Sequence, residues 1–234
     1  MKTNLLILTT ILLLTTTSYG CRTEGSGRTT SEVRQLESFS GIELKSAANV
    51  YVTQGDVQEV RVEAEDNLLG KINTTVKNNS LVIDDEDNIK YTKPVTIYIT
   101  VKDLCLLELS GSGNIITRSQ FICDFMSIKL SGSGDIRVMV NSKSLKGNLS
   151  GSGNLVLNGS SAETDYRISG SGNINARDLN CFSSAVAISG SGTSTVDVKN
   201  DLNVTITGSG NVHYVQEPGK ISSKIIGSGE ISKL

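Results

Sequence analysis

The chain has no tryptophan, a single histidine and only two prolines, and aromatic residues make up 4% of its 234 positions. So few aromatics exclude the stacking platforms on which single-stranded nucleic acids are held. Charge points the same way: 22 basic residues stand against 24 acidic ones, so no basic footprint for a phosphate backbone is available. The lone histidine, His213, would need a serine and an aspartate converging on it to act as a catalytic base, and nothing in the sequence singles them out. Asp165, Asp178, Asp197 and Asp201 are scattered over the repeat positions described below, unlike the clustered carboxylates of polysaccharide-cleaving enzymes. The expectation is a protein that is not an enzyme, with no cofactor and no metal.

Long hydrophobic runs are also missing. The most apolar stretch, Leu5 to Leu14, covers ten residues, about half of the ~20 needed to cross a bilayer. It follows Lys2 and precedes the small or polar Thr15 to Ser18 and Gly20. A short basic start, an apolar centre and small residues before a cut make residues 1–20 a secretory signal peptide. Cys21 follows directly and is similar to the acylated cysteine of bacterial lipoproteins, so the expected membrane attachment is a lipid anchor on Cys21 alone. Residues 21–32, including Arg22 to Arg28, read as a polar tether, and residues 33–234 as the exported domain.

Glycine is what the chain has in abundance. Gly-Ser-Gly recurs seven times. The first glycines are Gly111, Gly132, Gly151, Gly170, Gly190, Gly208 and Gly227, and the second are Gly113, Gly134, Gly153, Gly172, Gly192, Gly210 and Gly229. The steps are 21, 19, 19, 20, 18 and 19 residues. A fixed period of this size marks a solenoid whose units bury their apolar faces only against their neighbours.

Aligning the units on the glycines exposes columns. Two residues before each first glycine stand Leu109, Leu130, Leu149, Ile168, Ile188, Ile206 and Ile225; the residues beside them are mostly polar. Four before it the series runs Leu107, Ile128, Gly147, Tyr166, Val186, Val204 and Ser223; six before it, from Cys105 to Ile221. After the glycines come Ile115, Ile136, Leu155, Ile174, Ser194, Val212 and Ile231. This alternation is that of half-buried strands. The fold class is therefore all-β: a single-chain parallel β-helix, or β-solenoid, with ~19-residue coils and Gly-Ser-Gly corners. Regular repeats occupy 105–234, irregular N-terminal coils 33–104. Each coil is expected to carry two strands around the corner and then a polar loop of variable length. At ~4.8 Å per coil the seven corners span roughly 29 Å.

Both glycines of each corner are expected to serve a sharp bend, through positive φ and close backbone approach. Just beyond them stand Asn114, Asp135, Asn154, Asn173, Thr193, Asn211 and Glu230, and Asn49 occupies the equivalent place upstream. Stacked asparagines can bond from copy to copy, so Asn49, Asn114, Asn154, Asn173 and Asn211 are expected to form a ladder. The upstream copy follows from aligning Leu44-Lys-Ser-Ala-Ala-Asn49-Val50 with Leu109-Ser-Gly-Ser-Gly-Asn114-Ile115, which makes Ser46–Ala48 a degenerate corner. Val60–Val62, Leu81–Ile83 and Val95–Val101 read as strands, and the stretch between 63 and 80 as a cap or loops.

Other readings of these residues are weaker. A phosphate-cradling loop occurs once, between a strand and a helix, and is not repeated seven times. Calcium β-rolls need acidic residues at a nine-residue period, whereas only Asp135 stands in the post-corner column. The run Asp84–Asp87 reads as a solvated loop. Cys105, in an inward column, is expected to be a buried small hydrophobe; whether it pairs with Cys123 stays open, and Cys181, three coils from Cys123, is out of that residue's reach.

The repeated [LI]-S-G-S-G-N-[ILV], with Phe39-Ser-Gly-Ile-Glu-Leu44 and Asn49-Val-Tyr-Val52 upstream, resembles the "putative auto-transporter adhesin, head GIN domain" family of Bacteroidetes lipoproteins and secreted proteins. The resemblance runs from about Val33 to Leu234. It implies a β-helical domain at or beyond the outer membrane of a Gram-negative bacterium, on the cell surface or in the periplasm. The function expected is an adhesin-like or scaffolding protein for an extracellular or envelope ligand, protein or polysaccharide, with homo-oligomerisation left open. The alternatives are a carbohydrate- or lipid-binding periplasmic protein and a degenerate polysaccharide-active enzyme. This chain carries no β-barrel translocator of its own.

Overall fold

The computed structural model describes residues 22–234. Cys21 and the segment read as a signal peptide lie outside the described residues. The chain is all-β, and its only helical piece among the described residues is a single 3-10 turn, Leu69–Lys71. Its strands in chain order are β1 (Thr23–Glu24), β2 (Thr29–Arg34), β3 (Gly41–Leu44), β4 (Asn49–Gln54), β5 (Glu59–Glu65), β6 (Ile72–Lys77), β7 (Ser80–Asp85), β8 (Ile89–Lys90) and β9 (Thr96–Val101). These make the irregular part. The coils follow: β10 (Leu106–Leu109), β11 (Asn114–Thr117), β12 (Phe121–Gly132), β13 (Asp135–Gly151), β14 (Asn154–Gly170), β15 (Asn173–Gly190), β16 (Thr193–Gly208), β17 (Asn211–Tyr214), β18 (Lys220–Gly227) and β19 (Glu230–Lys233).

From β10 onward each coil lies on the last in parallel register, and the glycines match: Gly132 with Gly151, Gly151 with Gly170, Gly170 with Gly190, Gly190 with Gly208, Gly208 with Gly227. The columns read from the sequence point inward. Leu109, Leu130, Leu149, Ile168, Ile188 and Ile206 are all buried, as are Ile115, Ile136, Leu155 and Ile174. Each such side chain contributes about 1.5–3 kcal/mol on burial, so the core is a sum of many similar terms. In the last coil the columns emerge again: Ile221 and Ile225 are exposed.

The upstream alignment agrees with the register. Leu44 pairs with Leu109, Asn49 with Asn114, Val50 with Ile115 and Val52 with Thr117, which places Ser46–Ala48 beneath the first glycine corner. What the pattern did not reveal is the order of stacking. β3 and β4 pair in parallel with β10 and β11 above and with β7 and β9 below. The coil at residues 41–54 is thus sandwiched between two coils that come later in the chain. Beneath them β5 pairs antiparallel with β9, β2 with β5, and β6 with β7. These antiparallel strands close the N-terminal end, where an open row of parallel strands would otherwise invite association.

Three expectations are corrected. The segment at 21–32 is not a free tether over its described part: β1 pairs with β8 and β2 with β5. Glu65 explains the docking. Its buried carboxylate accepts hydrogen bonds from the backbone N–H of Gly27 (2.7 Å), Thr92 (2.8 Å) and Lys93 (3.3 Å), and from the Thr92 hydroxyl. A Cβ on Gly25 would overlap the Glu65 carboxylate, which would have to leave its hydrogen bonds to make room. In the coils built from β12 to β16 the supposed polar loop is a third stretch of strand instead, with Phe121, Val140, Leu179 and Val198 buried, whereas 215–219 between β17 and β18 remains a loop. Differences in coil length are absorbed there as register shifts, between Val156 and Asn158 and between Ala176 and Asn180. Finally, Cys105 is exposed, its thiol beside the hydroxyl and carbonyl of Ser40, because it precedes the first residue of β10 rather than lying within a strand. It does not pair with Cys123: the described cysteines are all free.

Candidate functional site

Stacking divides the work of each corner between its two glycines. From Gly132 to Gly227 the first glycine of each triplet has a positive φ, for example 128° at Gly151, a conformation that side chains disfavour. This kink turns successive N–H groups toward one oxygen of the coil before. Ser152 and Gly153 both donate to the Gly132 carbonyl at 3.1 Å, and Ser171 and Gly172 to that of Gly151 at 3.0 and 2.9 Å. Such paired N–H groups are what an anion-binding nest uses. Here the preceding coil fills them with a carbonyl, so the repeat is consumed by the fold.

The two reasons for glycine at a corner, positive φ and close approach, fall on different glycines. The second glycines Gly113, Gly134, Gly153, Gly172, Gly192, Gly210 and Gly229 have no positive φ, and neither does Gly111, which stacks on the degenerate corner Ser46–Ala48. These positions need glycine because the coils come too close for a side chain. A Cβ on Gly113 would overlap the Ala48 carbonyl oxygen, and one on Gly192 the Gly172 carbonyl oxygen. On Gly210 it would lie 2.5 Å from the Ile188 side chain and 2.7 Å from the Gly192 carbonyl oxygen, and on Gly229 it would overlap the Gly210 carbonyl oxygen. The second glycine of every corner is thus a spacer that lets one coil settle on the next.

Beyond the corners, Asn114 donates to Asn49 (2.8 Å), Asn154 to Asp135 (2.9 Å) and Asn173 to Asn154 (3.1 Å), while Asn211 accepts from the Glu230 N–H at 3.2 Å. Thr193 interrupts the series. The interior carries its own matches. Gly147 leaves room for the buried ring of Tyr166, which a Cβ there would approach to 2.9 Å, and Thr164 donates to Ser184 at 2.7 Å.

The catalytic candidates do not assemble. Among the described residues the His213 side chain bonds only its register neighbour, Ser232, through Nδ1 at 3.0 Å. Asp165, Asp178, Asp197 and Asp201 pair with other residues, none with one another, and Asp165 is engaged by Arg167 at 3.2 Å. The run Asp84–Asp87 starts within β7, and Glu86 meets Lys71 at 3.1 Å. No group of three or more potential metal ligands lies together among the described residues. Burial pushes the Cys181 thiol up to about 11, which leaves it un-ionised and inert near neutral pH.

A groove of about 650 Å³ runs along the outer side of the strands leading into the corners. It crosses six coils. One row of its wall is Glu108, Lys129, Asn148, Arg167, Ala187 and Thr205, and the other is Ser131, Ser150, Ser169, Ser189 and Thr207. The two rows are the outward neighbours of the buried Leu/Ile column, so strand alternation alone aims them at solvent. Copies in the first row differ, whereas those of the inward column barely do. Lys129 is neutralised by Glu108 at 3.2 Å. The groove combines a mostly apolar exposed surface with hydroxyls at coil spacing and a few charges, a surface able to lie along an extended ligand.

Residues 38–218 match the family described as "Putative auto-transporter adhesin, head GIN domain", and the chain belongs to that family. Among solved structures it is similar to a putative adhesin from Bacteroides fragilis, at 22% identity and a TM-score of 0.84, covering 91% of this chain and 100% of the other. A putative lipid binding protein from Parabacteroides distasonis shares 24% identity with a TM-score of 0.76, over 91% of this chain and 99% of the other. A putative adhesin from Parabacteroides merdae shares 20% identity with a TM-score of 0.74, over 92% and 99%. At these identities the likeness establishes the fold. No match is found among curated proteins.

Proposed function

From membership of the head GIN family we propose that this chain is an exported, non-enzymatic binding protein of the cell envelope. It is attached through an acylated Cys21 and displays its solenoid to a polymeric ligand, protein or polysaccharide. The observation that carries the reading is the groove across six coils, walled on one side by positions at which the repeats differ and on the other by a row of hydroxyls. A ligand lying along it would meet one pair of outward side chains every ~4.8 Å. The absence of any converging set of acid, base and nucleophile among the described residues fits recognition rather than turnover. Among the described residues no helix is long and apolar enough to cross a membrane. A lipid ligand is the second reading, favoured by the mostly apolar exposed surface of the groove, and the same experiment separates the two.

Protease shaving of intact cells should release the domain, and palmitate labelling should vanish in Cys21→Ala. Purified protein should bind a component of a glycan or envelope-protein array, and Ala187→Trp, which fills the groove, should abolish that binding without changing the melting temperature. Protection from protease on intact cells would remove the surface role. Binding to lipid vesicles alone would favour the second reading, and binding unaffected by Ala187→Trp would move the site elsewhere.

A further inference from the structure

The scarce aromatics of this chain are not all inside. Tyr51 on β4 and Tyr98 on β9 are direct register partners, half-buried on the outer face of the N-terminal coils, with ring centres 5.7 Å apart. Two arginines lie on them. The Arg118 guanidinium sits 3.9 Å from the centre of the Tyr51 ring and 5.5 Å from that of Tyr98, and Arg61 on β5 sits 4.2 Å from Tyr98. These distances are within cation–π range.

The ring contacts hold both guanidinium groups at the tyrosine pair. Neither side chain donates a hydrogen bond to protein among the described residues. Arg118 has no carboxylate within ion-pair distance there, and the Arg61 contact to Glu63 is long, at 3.8 Å. Two under-neutralised guanidinium groups beside the Tyr98 ring form a cationic patch on a chain that is acidic overall. The planar guanidinium group presents a fork that matches the paired oxygens of a carboxylate or sulfate. Tyr and Arg are also among the residue types that dominate binding hot spots.

We infer that Arg61, Tyr98, Tyr51 and Arg118 form a second binding site, specific for an acidic polysaccharide. The patch is open rather than enclosed, so a free small anion would stay largely hydrated. Its two charges come from either side of the tyrosine pair, so they follow one another along the stack as charges do along a polymer. Arginines cover the ring faces, which removes the platform that nucleic-acid bases would need. The inference rests on the exported, ligand-binding reading, but it uses the face beyond the corner, away from the groove.

The test immobilises the mature protein and measures binding of polygalacturonate, chondroitin sulfate, neutral dextran and oligo(dT) at low and physiological salt. Binding of either acidic polysaccharide, weakened by salt and absent for dextran and oligo(dT), is the expected result; which polymer binds identifies carboxylate or sulfate as the group read. Arg118→Gln and Arg61→Gln should each weaken it about tenfold or more, and Arg118→Lys should not restore it, because a point charge lacks the fork. Ala187→Trp in the groove should leave it unchanged. No binding of either acidic polymer at low salt overturns the inference, as does equal binding by the Gln variants or equal binding of dextran or oligo(dT). Retained binding by Arg118→Lys overturns the fork. Loss in the groove variant with the arginine variants intact overturns this site while leaving the proposed function standing.

Discussion

The two ends of the molecule are built by different rules. In the regular coils Asn173 reaches Asn154 across 19 residues of chain, whereas in the N-terminal part the equivalent bond joins Asn114 to Asn49 across 65. The regular part repeats one local solution, so each column carries a small, equal share and no single corner is unique. The N-terminal part is closed by antiparallel strands and pinned by individual residues, above all Glu65, which ties together three separate segments. Repetition makes a stack that can be extended, and ending it takes specific long-range contacts.

The sharpest way to break the repeat is to charge its interior. Ile188→Asp places a carboxylate in a column that is 2% exposed and should cost about 3–5 kcal/mol, read as a loss of melting temperature by circular dichroism. Gly151→Val, at φ 128° and with the Gly132 carbonyl oxygen 2.5 Å from its Cβ, should cost about 2–4 kcal/mol in denaturant melts, since both strain and overlap must be relieved. Gly147→Ala should cost about 1–3 kcal/mol by crowding Tyr166, and the double variant with Tyr166→Leu should recover part of it.

Glu65 tests the other side of the comparison. The Thr92 hydroxyl, helped by the N–H groups of Thr92, Gly27 and Lys93 and opposed by burial, holds its carboxyl down to about 2 from an ordinary 4.5. A lowered carboxylate value contributes stability above its ordinary range and loses it as pH falls toward the folded value. Between pH 5 and 2 residues 23–34 should therefore lose hydrogen-exchange protection before the regular coils do. In Glu65→Gln that loss should be present already at pH 7. Protection unchanged in that variant would show that the cap does not depend on this carboxylate. At the small end, Ser191→Ala at an exposed corner should shift stability by less than about 0.5 kcal/mol.

The regular part was legible in the sequence because the same alternation is written repeatedly, and the upstream copy could be aligned on Leu44, Asn49 and Val50. The two glycines of a corner look alike in sequence, and only stacking separates the kink at Gly190 from the spacer at Gly192. Cys105 was misassigned because the column was extended past the end of its strand. The third strand of each coil went unread because inward residues there vary from Phe121 to Gly159 and the register shifts, leaving no column to see. The groove was legible only as outward positions that differ between copies. Tyr51 and Tyr98 did leave a signal, the shared Val-Tyr-Val and Ile-Tyr-Ile, but only stacking brings Arg61 and Arg118 onto them.

By itself the sequence determined the solenoid, its period, its corners and its buried columns, because each of these depends on neighbours one coil away and is repeated. Only the tertiary structure decided the stacking order of the N-terminal coils, the docking of residues 23–34 and the placing of arginines on tyrosines. Those depend on single contacts between distant segments, which nothing repeats and no periodicity announces.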